Sequence, residues 1–333
     1  MAHMIESTDG FMSVRQPAWH GLGTVLDDYP SRKEAQQLVH PWEPVSEPVY
    51  LATPMVTDAG DLITQYEQAP EFQGLRRSDN GDLLGIVGDT YTPVLNSELW
   101  DVAEALEQSA DDVMFETAGS LEGGKKVWIL VRLKEPLKIK GDRRGETVPY
   151  FALQNSHDGS KAFRGSATVT RIVCANTAQL SDLESGNRGT QFTFRHTKNV
   201  KSRIEEAQQA LAGWRYSVEQ YQQMTEHMLT LDVMPSQVRG FAERWLGRPD
   251  PSLVSERVMN NYERQEQEWF DIYGSVTCEG ITGTAAGLLQ ASIEFAEWGR
   301  KAHTPESRFK RTYLTQDKLV SSAQQMALEA AGV

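Results

Sequence analysis

Near residue 200 the hydrophobic pattern changes its period, and this change constrains the fold more than any other feature of the chain. Upstream, short runs of β-branched and aromatic residues alternate with turn signals. Downstream, Val200, Ile204, Ala207, Leu211, Trp214, Val218 and Tyr221 recur at spacings of 4-3-4-3-4-3. That rhythm draws an apolar stripe along a helix of about thirty residues. Strands first and helices last imply an α+β fold: antiparallel hairpins over the N-terminal two thirds, then a long amphipathic helix and a helical C-terminal region. The stripe would pack either on the sheet or against a second subunit.

The upstream turns are specific. Asn80-Gly81 in "DNGD" is a strong hairpin turn before "LLGIVG". "VMFETAGSL" and "KKVWILVRL" flank "EGG", and "TVPYFALQN" and "KAFRGSATVTRIV" flank "SHDGS". Strand, turn and strand in close succession predict an antiparallel meander. Glycine, proline and aromatics interleave in "RQPAWHGLGTVLDDYP", which predicts a fixed loop over that stretch. Ser31 with Glu34 forms a capping box for a helix, and "NSELWDVAEALEQ" is a second helix. Beyond the striped helix, "PSQVRGFAERWL", "SERVMNNYERQEQEWFDIY", "TAAGLLQASIEFAEWGRK" and "LVSSAQQMALEAAGV" read as further helices, with a glycine hinge before the third. The expected division is an α+β core over 1–231 and an acidic helical region over 232–333.

Charge is distributed unevenly. The chain of 333 residues has a net charge of −13, yet residues 121–215 hold 17 Lys+Arg against 9 Asp+Glu, a local balance of +8. Chance clustering with internal salt bridges would explain such an island. An anion-binding surface would explain it too, with the acidic remainder limiting non-specific adhesion. No apolar run approaches 18 residues, so a membrane span is not expected. The N-terminus lacks the basic start and apolar stretch of a signal peptide. Two distant cysteines, Cys174 and Cys278, make no disulfide framework, and a reducing cytoplasm fits them best.

The stretch from Gln154 to Thr177, "QNSHDGSKAFRGSATVTRIVCANT", concentrates the candidates. Asp158-Gly159 suits a tight reversal by turn chemistry alone. In the strand that follows, Phe163, Gly165, Ala167 and Val169 share one face, which should be buried. Arg164, Ser166, Thr168 and Thr170 share the other, a hydroxyl-rich stripe with one guanidinium, able to donate to phosphate and sugar oxygens or simply to face solvent. His196, Lys198, Lys201 and Arg203 stand at or near the start of the long helix, where positive charge opposes the dipole unless an anion docks there. The candidate backbone contacts are therefore Lys125, Lys126, Arg164, Arg171, Arg195, Lys198, Lys201 and Arg203.

Catalytic sets are weaker. Cys174 with His196 and Asn176 or Asp158 could form a nucleophilic group, but a cysteine ending an apolar strand is ordinarily a small hydrophobe. His157, Asp158, Cys174 and His196 match no metal-ligand spacing. His20 reads as a structural histidine. There is no Walker loop, GxGxxG or GxSxG motif, so neither a catalytic residue nor a cofactor is expected.

Three motifs carry a family resemblance: "TDG…PAWHGLG" near the start, "LQNSHDGSKAFRGSATVTRIVCANT" in the middle, and "FRHTKN" before the long helix. Together they resemble phage- and plasmid-like proteins carrying a domain of unknown function, over Met1 to Leu231, with the helical end departing more freely. The resemblance implies a mobile element acting in bacterial host cytoplasm. It marks Trp19, His20, Gly21, Gly23, His157, Asp158, Gly159, Arg171, Cys174, Asn176, Thr177, His196 and Thr197 as motif positions and assigns them no activity. Hairpins followed by a long helix with a basic start are also similar, at the level of fold, to single-strand annealing proteins of the Red-beta and RecT type. The expectation is an oligomeric, non-enzymatic protein that binds single-stranded DNA in recombination or replication. A protein-interaction module that counteracts host defence through the acidic helical end, and a metal-dependent nuclease or hydrolase, are the alternatives.

Overall fold

The computed structural model describes residues 10–14, 23–108, 112–143, 146–171, 176–179, 191–193, 200–300 and 318–333. β6 (Val113–Leu121), β7 (Lys126–Leu133), β8 (Thr147–Ser156), β9 (Arg164–Arg171) and β10 (Asn176–Gln179) follow one another as the expected antiparallel meander. β11 (Gln191–Thr193) continues the outer edge of β9 beside β10. At the far side, β1 (Phe11–Val14) lies antiparallel to β6, and β2 (Thr24–Leu26) runs parallel to β1.

β2 corrects the expectation of a fixed loop over "RQPAWHGLGTVLDDYP", since Thr24–Leu26 is a strand. Gly23 shows what the pairing demands. Its φ is +92°, and a Cβ there would stand 2.5 Å from the carbonyl oxygen of Phe11. Only glycine lets β2 approach β1 so closely.

The central strands are covered on both faces, which is why "VWILV" is a continuous apolar run instead of an alternating one. Val127, Ile129 and Val131 of β7 face the helices, together with Phe151, Leu153, Ala167 and Val169. Trp128, Leu130 and Ala152 form a smaller buried cluster on the opposite face with Phe11 and Leu121.

A second sheet joins β3 (Pro44–Val56), β4 (Leu62–Arg77) and β5 (Leu83–Gly88). Its β4–β5 reversal is the expected Asn-Gly turn. Gly81 has φ +75°, and the Asn80 side-chain oxygen accepts from the Asp82 amide at 2.9 Å. The β3–β4 reversal at Thr57–Asp61 was not foreseen. There the Thr57 amide donates to the Asp61 carbonyl at 2.8 Å, and Gly60 has φ +89°.

Helices cover one face of the large sheet. α1 (Arg32–Val39) begins with the capping box of Ser31 and Glu34, and α2 (Asn96–Gln108) packs beside it on β6, β7 and β8. α3 (Val200–Leu229) is 30 residues long, as the stripe requires. Leu211, Trp214, Val218 and Tyr221 are buried within the chain, Trp214 with its ring 5.5 Å from that of Phe151. Tyr221 accepts a hydrogen bond from Gln290 at 3.3 Å. This part of the stripe therefore packs on the chain's own sheet and helices and offers no subunit seam. The Val200, Ile204 and Ala207 side chains lie outside the described residues.

Behind α3 come α4 (Pro235–Leu246), α5 (Glu256–Tyr273), α6 (Ala285–Glu294), which runs on as a π-helical turn over Phe295–Gly299, and α7 (Lys318–Ala330). Of the glycines before α6, Gly283 is tied down on both sides. The Gly283 amide donates to the Tyr273 hydroxyl at 2.8 Å, its carbonyl accepts from Val233 at 2.9 Å, and the Ala285 amide donates to Leu231 at 2.9 Å. One cluster of buried side chains extends from Met12 to Ala327, on both sides of Leu231. Among the described residues, no helix is long and apolar enough to cross a membrane.

Candidate nucleic-acid interface at the hairpin ends

The β6–β7 and β8–β9 turns emerge side by side at one end of the large sheet. Lys126 pairs with Ser156, and the His157 amide donates to the Lys125 carbonyl at 2.8 Å. The first turn places Glu122, Gly123 and Gly124 in succession at φ +56°, +70° and +91°. A Cβ on Gly124 would meet the Trp42 ring at 2.7 Å, which explains the paired glycines. In the second turn Asp158 accepts from the Ser160 amide at 2.9 Å, and Gly159 takes φ +74°. Ser156 closes the turn: its hydroxyl donates to the Lys161 carbonyl and accepts from the Lys161 amide, both at 2.8 Å.

His157 points inward from this turn. Its ring meets Trp42 at 5.5 Å, and its Nε2 lies 2.9 Å from the Asn96 side-chain oxygen. Asn96 uses its own amide nitrogen to donate to the Trp42 carbonyl at 2.8 Å, so its oxygen must accept and His157 must carry its proton on Nε2. A second buried histidine follows the same logic. Trp100 donates to His40 Nδ1 at 3.2 Å, leaving Nε2–H to donate to the Gly119 carbonyl at 3.0 Å. Burial holds His157 down to about 3, assisted by the neighbouring His40, and holds His40 down to about 4, assisted by Arg77. Both are neutral near pH 7 and serve as polar keystones of the core.

The outer side of the same turns is cationic. Lys126 reaches Glu122 at 3.1 Å, with roughly a fifth of each side chain exposed. Lys161 is half-buried; burial, then the charges of Arg164 and Lys126, hold its ammonium below the usual value, with Asp158 opposing. Burial also lowers Arg164. Asp158 is acidified by hydrogen bonds from Ser160 and by Lys126, which outweigh the upward push of its burial. Lys126, Lys161 and Arg164 thus form one electrostatic group beside Lys125. Lys126 and Arg164 both act on the half-buried Lys161, with Glu122 and Asp158 among them, and the net charge of the group is positive, which suits an anion.

The other candidates divide clearly. Ser166 and Thr168 are 4% and 0% exposed, so the hydroxyl stripe of β9 is no solvent-facing surface. The Gln154 amide donates to the Ser166 hydroxyl at 3.5 Å, and the Thr168 hydroxyl donates to the Tyr150 carbonyl at 3.5 Å. Trp19, His20, Gly21, Cys174, Arg195, His196, Thr197 and Lys198 lie outside the described residues. Arg171, Asn176, Thr177, Lys201 and Arg203 fall on described backbone, but their side chains do not. Among the described residues, no group of three or more His, Cys, Asp or Glu could hold a metal ion.

Sequence reasoning missed Lys161, Trp42 and Asn96. Lys161 had a signal, since it follows the turn directly in "HDGSK". Trp42 and Asn96 had none, because their contacts with the hairpin turns form only in the folded chain.

The fold and the site define a mixed α+β protein: an antiparallel meander backed by helices, with two glycine-locked turns carrying a cation group at one end. The chain belongs to the family described as "Domain of unknown function (DUF932)", whose model matches residues 83–319. The match takes in both hairpins and crosses Leu231 into the helical region, while Trp19–Gly23 lies before it. The expected extent, Met1 to Leu231, is corrected accordingly. No curated protein and no solved structure matches the chain.

Proposed function

We propose that the protein binds the backbone of single-stranded DNA through Lys125, Lys126, Lys161 and Arg164, as an oligomeric, non-catalytic factor of a phage or plasmid acting in recombination or replication in the host cytoplasm. One observation carries the reading: Lys126 from one hairpin and Arg164 from the other both lie close enough to Lys161 for their charges to act on it. Such a cluster recognises phosphates without reading bases. Arg171, Arg195, Lys198, Lys201 and Arg203, from the same basic segment, would extend the track. The neutral, inward-facing His157 weighs against the hydrolytic alternative, since a general base must reach its substrate.

Fluorescence anisotropy with a labelled single strand tests this. Each phosphate neutralised contributes about −0.7 to the slope of log affinity against log salt. Three contacts give a slope of about −2, so tripling the salt weakens binding about tenfold. The triple variant Lys126→Ala, Lys161→Ala, Arg164→Ala should bind more weakly and with a shallower slope. Absence of binding at low salt, or unchanged binding by the triple variant, would refute the reading.

A further inference from the structure

The β3–β4 hairpin extends well beyond the body of its sheet. β5 pairs with β4 only as far as Phe72, so the outer ribbon, from Tyr50↔Gln68 to Val56↔Leu62, has two strands and no third. It is about 20 Å long, at roughly 3.4 Å per residue. From Tyr50 to Gln68 every residue is exposed except the partly exposed Thr57. Yet the ribbon is rich in large apolar side chains: Tyr50 55%, Leu51 61%, Val56 67%, Leu62 75%, Ile63 47% and Tyr66 68% exposed. The register places Tyr50, Val56, Leu62 and Tyr66 on one face and Leu51, Ile63 and Met55 on the other.

An isolated two-stranded hairpin is marginal in water, and both faces of this one leave large apolar side chains about half or more exposed. Contiguous exposed apolar patches of several hundred Å² commonly mark interaction sites. The edges, by contrast, are guarded. Pro48 and Pro54 in β3 and Pro70 in β4 bring no backbone donor, which disfavours strand addition and leaves the faces as the means of contact.

Charge points to the occupant. From Glu47 to Glu71 the arm carries Glu47, Asp58, Asp61, Glu67 and Glu71 and no lysine or arginine. An acidic arm with an acidic tip is repelled by nucleic acid and by anionic membranes. Its complement on a second copy is the described part of the basic segment at the hairpin ends, Lys125, Lys126, Lys161 and Arg164. We infer that the arm docks on the body of a second copy, its apolar faces covered there and its carboxylates turned toward that basic segment. An arm-to-body contact uses two different patches and so builds rings or filaments unless the two arms are exchanged reciprocally. The inference rests on the oligomeric part of the proposed function; because the same basic segment is the proposed DNA track, its test is made without nucleic acid.

The test is the mass of the full chain, without nucleic acid, by light scattering across a hundredfold concentration range. The wild type should exceed the 37.3 kDa of one chain. The variant Val56→Thr, Leu62→Thr, Ile63→Thr, Tyr66→Thr should run at 37.3 kDa with an unchanged melting temperature. Should that variant unfold, Asp61→Lys with Glu67→Lys decides: it should weaken association at least tenfold. A photo-crosslinking residue at position 66 should join two copies through a peptide from 121–215. A wild type that stays monomeric overturns both the arm and the oligomeric reading. An oligomer that survives the arm substitutions, or crosslinks elsewhere, overturns the arm alone and leaves the DNA reading to the anisotropy experiment.

Discussion

Mild acid should destabilise this protein through His40 and His157. Both are 0% exposed and each has its Nε2–H bonded to a fixed acceptor. In the folded chain burial lowers them to about 4 and about 3, whereas an unfolded histidine titrates near 6.5. Between those values the unfolded state binds protons that the folded state refuses, so stability is present above about 6.5 and is lost as pH falls. Each group contributes about 1.4 kcal/mol per pH unit. From pH 7.5 to 5 that is about 2 kcal/mol each, or about 4 kcal/mol together. At about 2 °C per kcal/mol for a chain this long, the melting temperature should fall by about 8 °C. Thermal melts followed by circular dichroism at pH 7.5, 6.5, 5.8 and 5.0 would measure it. His157→Gln keeps a donor for Asn96 while removing one titration, so its slope over that window should be about half the wild-type slope. A melting temperature that stays level from pH 7.5 to 5, or a His157→Gln slope equal to that of the wild type, would refute the assignment of these rings as buried neutral donors.

Two further substitutions probe the scaffold. Gly159 has φ +74°, and a Cβ would stand 3.2 Å from Val87. Gly159→Val should therefore cost about 2 kcal/mol or more by urea denaturation, and Gly159→Asn, which tolerates the left-handed region, clearly less; equal losses would mean that crowding against Val87 dominates over backbone strain. Trp214→Ala removes a fully buried ring packed on Phe151 and should cost about 3–5 kcal/mol in the same assay, whereas a loss below 1 kcal/mol would show that α3 does not anchor to the sheet.

How much of this was legible in the sequence follows from the range of the forces involved. Turns and caps are local. Asn80-Gly81, Asp158-Gly159 and the Ser31–Glu34 box act within four residues, and each formed where the sequence placed it. The α3 stripe was legible because helical periodicity is also a local property, so its length was too. What the stripe touches was not. A 4-3 pattern is the same whether it meets a sheet or another subunit, and only the packing of Trp214 on Phe151 decided for the sheet.

The β9 stripe shows the same limit from the other side. Alternation separated Ser166 and Thr168 from Ala167 and Val169 correctly, but it carries no information on whether the second face is covered. Nor could composition turn a +8 segment into a site. Lys126 reaches Lys161 only because β7 and β8 pair in one particular register. The sequence by itself determined the class of fold, the turns, the helices and the presence of a basic segment, because spacing along the chain encodes them. Tertiary structure decided that His157 is a keystone held by Asn96 and Trp42, that Lys126 joins Lys161 and Arg164 at one end of the sheet, and that the β3–β4 arm stands clear of the body. Those outcomes depend on contacts between residues dozens of positions apart, whose partners no local pattern names.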